Sequence, residues 1–165
     1  SRTIAQLQDL LRLTLEGSDA QEVPLERELA ILDRYLAIQR TRFGERLSVR
    51  VEVAPGTRPA LVPGLLLQPL VENALKYGVP RGRREQRVTV TARVEDSRLV
   101  VEVRDNGPGV AANHRRPGSG VGLNNIRARL GHLYGAGARL ELEDAGDGEG
   151  AVARVVLPFA TAPRR

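Results

Sequence analysis

The chain has no cysteine, no methionine and no tryptophan, and only three tyrosines and two phenylalanines in 165 residues. Without cysteine there is no disulfide framework and no thiolate to act as nucleophile or soft metal ligand. An aromatic content of 3% makes the core aliphatic and leaves any base-stacking platform thin. The absence of methionine extends to position 1 and predicts a fragment or a processed chain. No stretch approaches the roughly 20 apolar residues that a membrane span requires, and no secretory signal pattern is present. Lysine is nearly absent as well: of 25 basic residues 24 are arginine, and the one lysine is Lys76.

What remains suits one domain, or one domain with a helical appendage. Hydrophobic residues make up 41% of the chain, enough to build a core. A net charge of +5 and a pI of about 10.6 invite a nucleic-acid partner. The arginines, however, are spread among 20 acidic residues, and the clusters Arg81-Gly-Arg-Arg84 and Arg115-Arg116 fall in predicted loops. The expectation is that no nucleic acid is bound.

Ile4, Leu7, Leu11 and Thr14 recur at steps of three and four, which predicts a helix over 3–16 with too much apolar surface to stand alone. Gly17-Ser-Asp-Ala20 breaks it. A second helix opens near Pro24, with Glu26 and Glu28 in its first turn favouring its own N-terminal dipole. Two helices before any strand predict a coupling or dimerisation element: residues 1–20 as the second helix of a truncated hairpin, 21–45 as a linker helix. From Arg46 the period changes to two. Leu47, Val49, Val51 and Val53 alternate, then a helix over 63–78 is followed by strands near 86–95 and 98–105, joined by a tight Asp96-Ser97 turn. A Gly-rich loop leads into a helix with Leu123, Ile126, Leu130 and Leu133 on one face. Strands near 138–144 and 151–158 complete the pattern, leaving 161–165 as a tail. This order predicts an α+β two-layer sandwich over 46–160, a mixed and mainly antiparallel sheet with helices on one face.

The helix containing Gln68-Pro-Leu-Val-Glu-Asn-Ala-Leu-Lys-Tyr-Gly78 is the most informative segment. Asn73, Lys76 and Tyr77 share a side with Glu72 at its border, while Leu66, Leu67, Leu70, Val71, Ala74 and Leu75 are left for a core. A carboxylate, a carboxamide oxygen and an ammonium on a buried helix suit Mg²⁺ and phosphate oxygens. The plain alternative is a surface helix with a solvated Glu72–Lys76 pair.

Leu99, Val101 and Val103 share a strand face that Asp105 continues. A carboxylate at the end of a core-facing row needs a donor, and the exocyclic amine of adenine is one. Asp105-Asn-Gly107 could instead be a hairpin turn, but no strand follows; Gly107-Pro-Gly109 opens a long loop. That loop closes with Gly118-Ser-Gly-Val-Gly122 directly before a helix, where glycines and free N–H groups favour a phosphate.

In order and spacing these three segments resemble the N, G1 and G2 boxes of the GHKL ATP-binding fold. More narrowly, Leu67-Gln-Pro-Leu-Val-Glu-Asn-Ala-Leu-Lys76, Asp105-Asn-Gly-Pro-Gly109 and Gly120-Val-Gly-Leu-Asn-Asn-Ile-Arg-Ala-Arg-Leu130 resemble the LytS-type sensor histidine kinases. The segment Leu25-Glu-Arg-Glu-Leu to Arg42-Phe-Gly44 is similar to that family's linker helix. The resemblance implies a Bergerat fold that holds ATP and Mg²⁺. It implies Asn73 as the Mg²⁺ ligand, Glu72 to orient or polarise the attacking group, Lys76 on phosphates, and Asp105 on adenine. Gly107 and Gly109 would shape the pocket floor; Gly118, Gly120 and Gly122 would hinge and cradle. Leu123 and Asn124 extend the ATP-binding set. Tyr77 stands where the family usually has His, so its phosphate contact departs from the pattern.

The family's phosphoacceptor motif, a His followed by Phe-Leu-Phe-Asn, is missing, and neither His114 nor His132 is placed to replace it. The implied activity is therefore transfer of the ATP γ-phosphoryl to a histidine on a helix outside this chain, in cis or in trans within a homodimer. A response-regulator receiver domain would follow. The domain would be cytoplasmic, its parent protein reaching a bacterial inner membrane only through parts outside this chain. The rival readings are an anti-sigma-factor-type serine kinase or another GHKL ATPase and, without catalysis, a nucleotide-binding dimerisation module.

Overall fold

A computed structural model describes residues 4, 6, 7, 21–82, 84–110, 120–146 and 149–163. Of the predicted first helix only Ile4, Gln6 and Leu7 are described, all helical; the rest of 1–20 lies outside the described residues. The ordered elements are β1 (Glu22–Pro24), α1 (Leu25–Phe43), β2 (Leu47–Val53), β3 (Leu61–Pro63), α2 (Leu67–Tyr77), β4 (Gln86–Glu95), β5 (Arg98–Asp105), α3 (Gly120–Tyr134), β6 (Arg139–Asp144) and β7 (Ala151–Pro158). A five-stranded sheet runs β2-β4-β5-β7-β6, with β2 parallel to β4 and every other neighbour antiparallel. This is the expected mixed α+β arrangement.

The hairpin β4–β5 follows directly from its residues. Alternation puts Val88, Val90 and Ala92 opposite Asp105, Val103 and Val101, and the connecting Asp96 and Ser97 both take positive φ, 50° and 63°. Two consecutive left-handed residues give the turn whose twist matches the strands. The buried row of β5 reads Leu99, Val101, Val103 and then Asp105, all 3% exposed or less.

Two corrections concern the segment before α2. The helix expected over 63–78 begins at Leu67, because Leu61–Pro63 is a strand paired antiparallel with β1. Pro63 and Gly64 interrupt helical progress, and Leu65 sits in the left-handed region at φ 56°. β1 also precedes α1, so the expectation of two helices before any strand fails: three residues, Glu-Val-Pro, are too few to show a period. Moreover α1 is no detached appendage. Leu25, Leu32, Tyr35 and Leu36 belong to the same hydrophobic cluster as Leu70, Val71, Val90, Val101 and Leu130.

The helices cover one sheet face. The other carries a charged layer in which Glu102 bridges Arg93 and Arg154, and Arg154 reaches Glu141 and Glu143 on β6. On the same face Val100, Val152 and Val156 are each at most 5% exposed, as expected where the apolar stems of long charged side chains cover a sheet. Exposed ion pairs are worth only about 0–1 kcal/mol each. The aliphatic core, at about 2 kcal/mol per fully buried leucine, therefore carries the stability.

Candidate functional site

The site is organised by α2. Leu66, Leu67, Leu70 and Val71 are fully buried, Ala74 and Leu75 nearly so, so the apolar face predicted from the sequence is the one that packs. That packing overrides local preferences: the helix has Pro69 in its first turn, where its missing N–H costs nothing, and no side-chain cap from Leu66.

Its N-terminus is capped from another element. Glu28 on α1 accepts the backbone N–H of Leu65 on Oε2 at 3.0 Å, and those of Leu66 and Leu67 on Oε1. Glu28 is 2% exposed, and burial raises its pKa against the pull of the three amides and the charge of Arg129. The expectation that Glu28 serves its own helix dipole is thus corrected; its carboxylate serves α2. The C-terminus of α2 is held from the sheet, where Gln86 Nε2 donates to the carbonyls of Ala74 and Leu75 at 3.3 and 3.2 Å. Neither Glu28 nor Gln86 was among the predicted site residues, although both leave a signal. Glu28 interrupts the stripe Leu25, Leu32, Leu36, and Gln86 begins the core-facing row Val88, Val90.

Asn73 projects from α2 and is 6% exposed. Glu72 and Lys76 are exposed and Tyr77 half-buried. Glu72 accepts from Gln68 Nε2 at 3.0 Å, while Lys76 Nζ stands 5.2 Å from the centre of the Tyr77 ring. The Glu72–Lys76 surface pair of the plain reading is therefore not the arrangement seen. Tyr35 on α1 lies close enough to Glu72 for that carboxylate, after burial, to raise the phenol pKa.

Five residues beyond Asn73 the backbone of Gly78 packs against Asp105 and Gly107. A Cβ on Gly78 would fall 2.4 Å from Asp105 Cγ, and one on Gly107 would fall 2.5 Å from Gly78 Cα. Asp105 Oδ1 accepts from Gly107 N at 3.0 Å and from Ala151 N at 3.2 Å, which fixes the carboxylate at the end of β5, the central strand of the sheet. Asn106 is structural: it accepts from Arg87 N and donates to Glu85 O, both at 2.8 Å, prolonging the β4–β5 ladder by one side chain. Gly109 has φ 88°, and the next residue's N–H is held by Asp144 Oδ1 at 2.6 Å. The start of the loop is thereby tied to the end of β6.

The loop's far end returns to α2. A Cβ on Gly122 would stand 3.8 Å from Pro69 Cβ, and Pro69, four residues before Asn73, shares its helix face. Gly120 opens α3 at φ 70°. Leu123 is 1% exposed and joins the core rather than an open surface; Asn124 is exposed and accepts from Arg127 Nη1 at 3.1 Å. Gly118 and His114 lie outside the described residues. His132 is exposed on α3, off its apolar face.

The chain matches the family model for histidine kinase-, DNA gyrase B- and HSP90-like ATPases over residues 60–161, and a histidine kinase model over residues 1–47. It is similar to Sensor protein LytS of Staphylococcus haemolyticus, 30% identical over 152 residues, covering 86% of this chain and 26% of that protein. Sensor histidine kinase YpdA of Escherichia coli is 31% identical over 150 residues, covering 87% of this chain and 26% of that protein. The chain thus spans about a quarter of the length of these relatives. Its fold is similar to the histidine kinase domain of the Erythrobacter litoralis EL346 blue-light activated histidine kinase, with a TM-score of 0.63 at 23% identity, covering 95% of this chain and 75% of that one. Among the described residues no helix is long and apolar enough to cross a membrane. By the match over residues 60–161 the chain belongs to the histidine kinase-, DNA gyrase B- and HSP90-like ATPase family.

Proposed function

We propose that this domain holds Mg·ATP between α2 and the loop entering α3 and passes the γ-phosphoryl to a histidine on a helix outside this chain. The observation that carries the reading is the convergence of Gly78 and Gly107 on the buried Asp105, one and a half turns along α2 from the buried Asn73. Asp105, with Oδ1 fixed by two backbone amides, would receive the exocyclic amine of adenine. Lys76 and the backbone at Gly118, Gly120 and Gly122 would meet the phosphates, with Tyr77 and Asn124 at the margin of the site and Leu123 supporting it from the core.

The donor chemistry fits Mg²⁺. The Asn73 carboxamide offers one hard oxygen, and no group of three or more His, Asp or Glu suited to a metal occurs among the described residues. A cation held by one protein oxygen, waters and the nucleotide's phosphates matches what Mg²⁺ prefers. Bound there, it would neutralise charge on the phosphates. In the transfer the imidazole nitrogen bonds to the γ-phosphorus as the bond to the β–γ bridging oxygen breaks, and ADP leaves with the electron pair. Glu72, exposed beside Asn73, would orient the incoming imidazole. Positioning and charge neutralisation would supply the rate.

The phosphoryl would pass on to a response-regulator aspartate, the acceptor helix being contributed in cis or in trans by a homodimer. Segments outside this chain would hold the parent protein at a bacterial membrane, with this domain on the cytoplasmic side. The test is incubation with labelled Mg·ATP, alone and with a separate acceptor-helix fragment of a LytS-type kinase. The expected result is label on the fragment's histidine and none on this chain. ATP binding without transfer to any acceptor would favour a non-catalytic nucleotide module.

A further inference from the structure

The carboxylate of Glu28 and the amides of Leu65, Leu66 and Leu67 meet across two regions that match different family models, residues 1–47 and residues 60–161. A glutamate would ordinarily be spent on its own helix or on solvent. Here it is buried at 2% exposure and takes the N–H groups of Leu65 and Leu66 and, just after them, that of Leu67, which opens the helix that carries Asn73. The first of them belongs to Leu65, a leucine held at φ 56°, a conformation that persists only where the surroundings enforce it. A second tie runs in parallel: Tyr134 Oη at the end of α3 donates to Glu22 Oε2 at 2.8 Å, just before α1. The segment 22–43 therefore grips both helices that flank the nucleotide loop.

We propose that Glu28 is a positioning residue for the phosphate and metal end of the site: by fixing the first turn of α2 it makes the placement of Asn73 depend on the placement of α1. The adenine end is held from elsewhere: Asp105 takes the amides of Gly107, in the loop after β5, and of Ala151 at the start of β7. Helix α2 meets it at Gly78, the end opposite Glu28, which Gln86 holds from the sheet. A shift of α1 would then change the hold on Mg·ATP and leave the hold on adenine as it is. The inference rests on the assignment of Asn73 to Mg·ATP above.

The test compares Mg·ATP and adenosine as calorimetric probes on the wild-type chain, Glu28→Ala, Glu28→Gln and Asn73→Ala, with folding checked by circular dichroism. Glu28→Ala should weaken Mg·ATP at least tenfold and leave adenosine within twofold. Glu28→Gln should recover part of the loss, because its Oε1 still accepts from Leu66 and Leu67. Equal losses for both probes in a folded Glu28→Ala protein, or no loss, would overturn the proposal. If Glu28→Ala fails to fold, Glu28→Gln decides. It should show a smaller split of the same sense and faster amide exchange at Leu65 than at Leu67, and absence of both would overturn the proposal. Should Asn73→Ala lose Mg·ATP while the Glu28 variants do not, only the positioning role falls; should Asn73→Ala show no split, the Mg·ATP reading falls and takes the inference with it.

Discussion

A Cβ on Gly78 would stand 2.4 Å from Cγ of Asp105, so the last turn of α2 and the end of β5 touch through the absence of a side chain. No rotamer change relieves that clash, because the methyl would also meet the Ala74 carbonyl at 2.5 Å. Gly78→Ala should therefore push Asp105 out of place. The expected outcome is a loss of roughly tenfold or more in affinity for both ATP and adenosine, read by calorimetry, with a helical signature like that of the wild type. Wild-type affinity for both ligands would show that Asp105 does not contact the base.

Asp105→Asn asks the finer question. Its Oδ1 contacts with Gly107 and Ala151 can be kept by a carboxamide oxygen, so the fold should persist. The acceptor offered to the adenine amine becomes a donor, and a mismatched buried polar pair costs about 1–3 kcal/mol. ATP should weaken accordingly, while GTP, expected to bind the wild type poorly, should gain relative to it. Equal ATP and GTP affinity in the wild type would remove adenine recognition.

These two residues show what the sequence made legible. The row Leu99, Val101, Val103, Asp105 is a strict period of two, and the hairpin, its turn and its buried carboxylate could be read from it. The apolar face of α2 was equally clear, because six leucine, valine and alanine positions fell on one side. What escaped were features with no period of their own. β1 and β3 are three residues each and exist only because they pair with one another. The start of α2 was misplaced because its cap comes from Glu28, 37 residues or more upstream. Local reading gave that glutamate to the nearest helix end. A polar residue inside an apolar row, Glu28 in α1 or Gln86 in β4, was the available signal.

Asn73 is predicted to matter through one oxygen. Asn73→Ala removes it, and Asn73→Asp keeps an oxygen but adds charge beside the phosphates. Neither opens a large void, so each should melt close to the wild type. ATP binding in the wild type should strengthen on adding Mg²⁺, and in Asn73→Ala that strengthening should disappear along with phosphotransfer to an added acceptor helix. Retained Mg²⁺ dependence and transfer in a folded variant would return this face of α2 to a structural role.

The last prediction concerns acid, where the half-buried Glu102 and the buried Glu28 should pull in opposite directions. Burial pushes Glu102 up, but the hydrogen bond and charge of Arg93, then those of Arg154, leave it below its ordinary 4.5. A depressed folded pKa means stability that is present above 4.5 and lost as pH falls through the folded value. Glu28 is raised above 4.5, chiefly by burial. Its protonation therefore favours the folded state, a contribution complete below 4.5 and lost as pH rises through the folded value. Urea unfolding between pH 7 and pH 3.5 can separate them. The stability gap between wild type and Glu102→Gln should shrink toward acid, and the gap between wild type and Glu28→Gln should move in favour of the wild type over the same range. Parallel pH profiles for wild type and Glu102→Gln would mean that the charged layer over β5 and β7 contributes no net pairing energy, leaving it the task of covering Val100, Val152 and Val156.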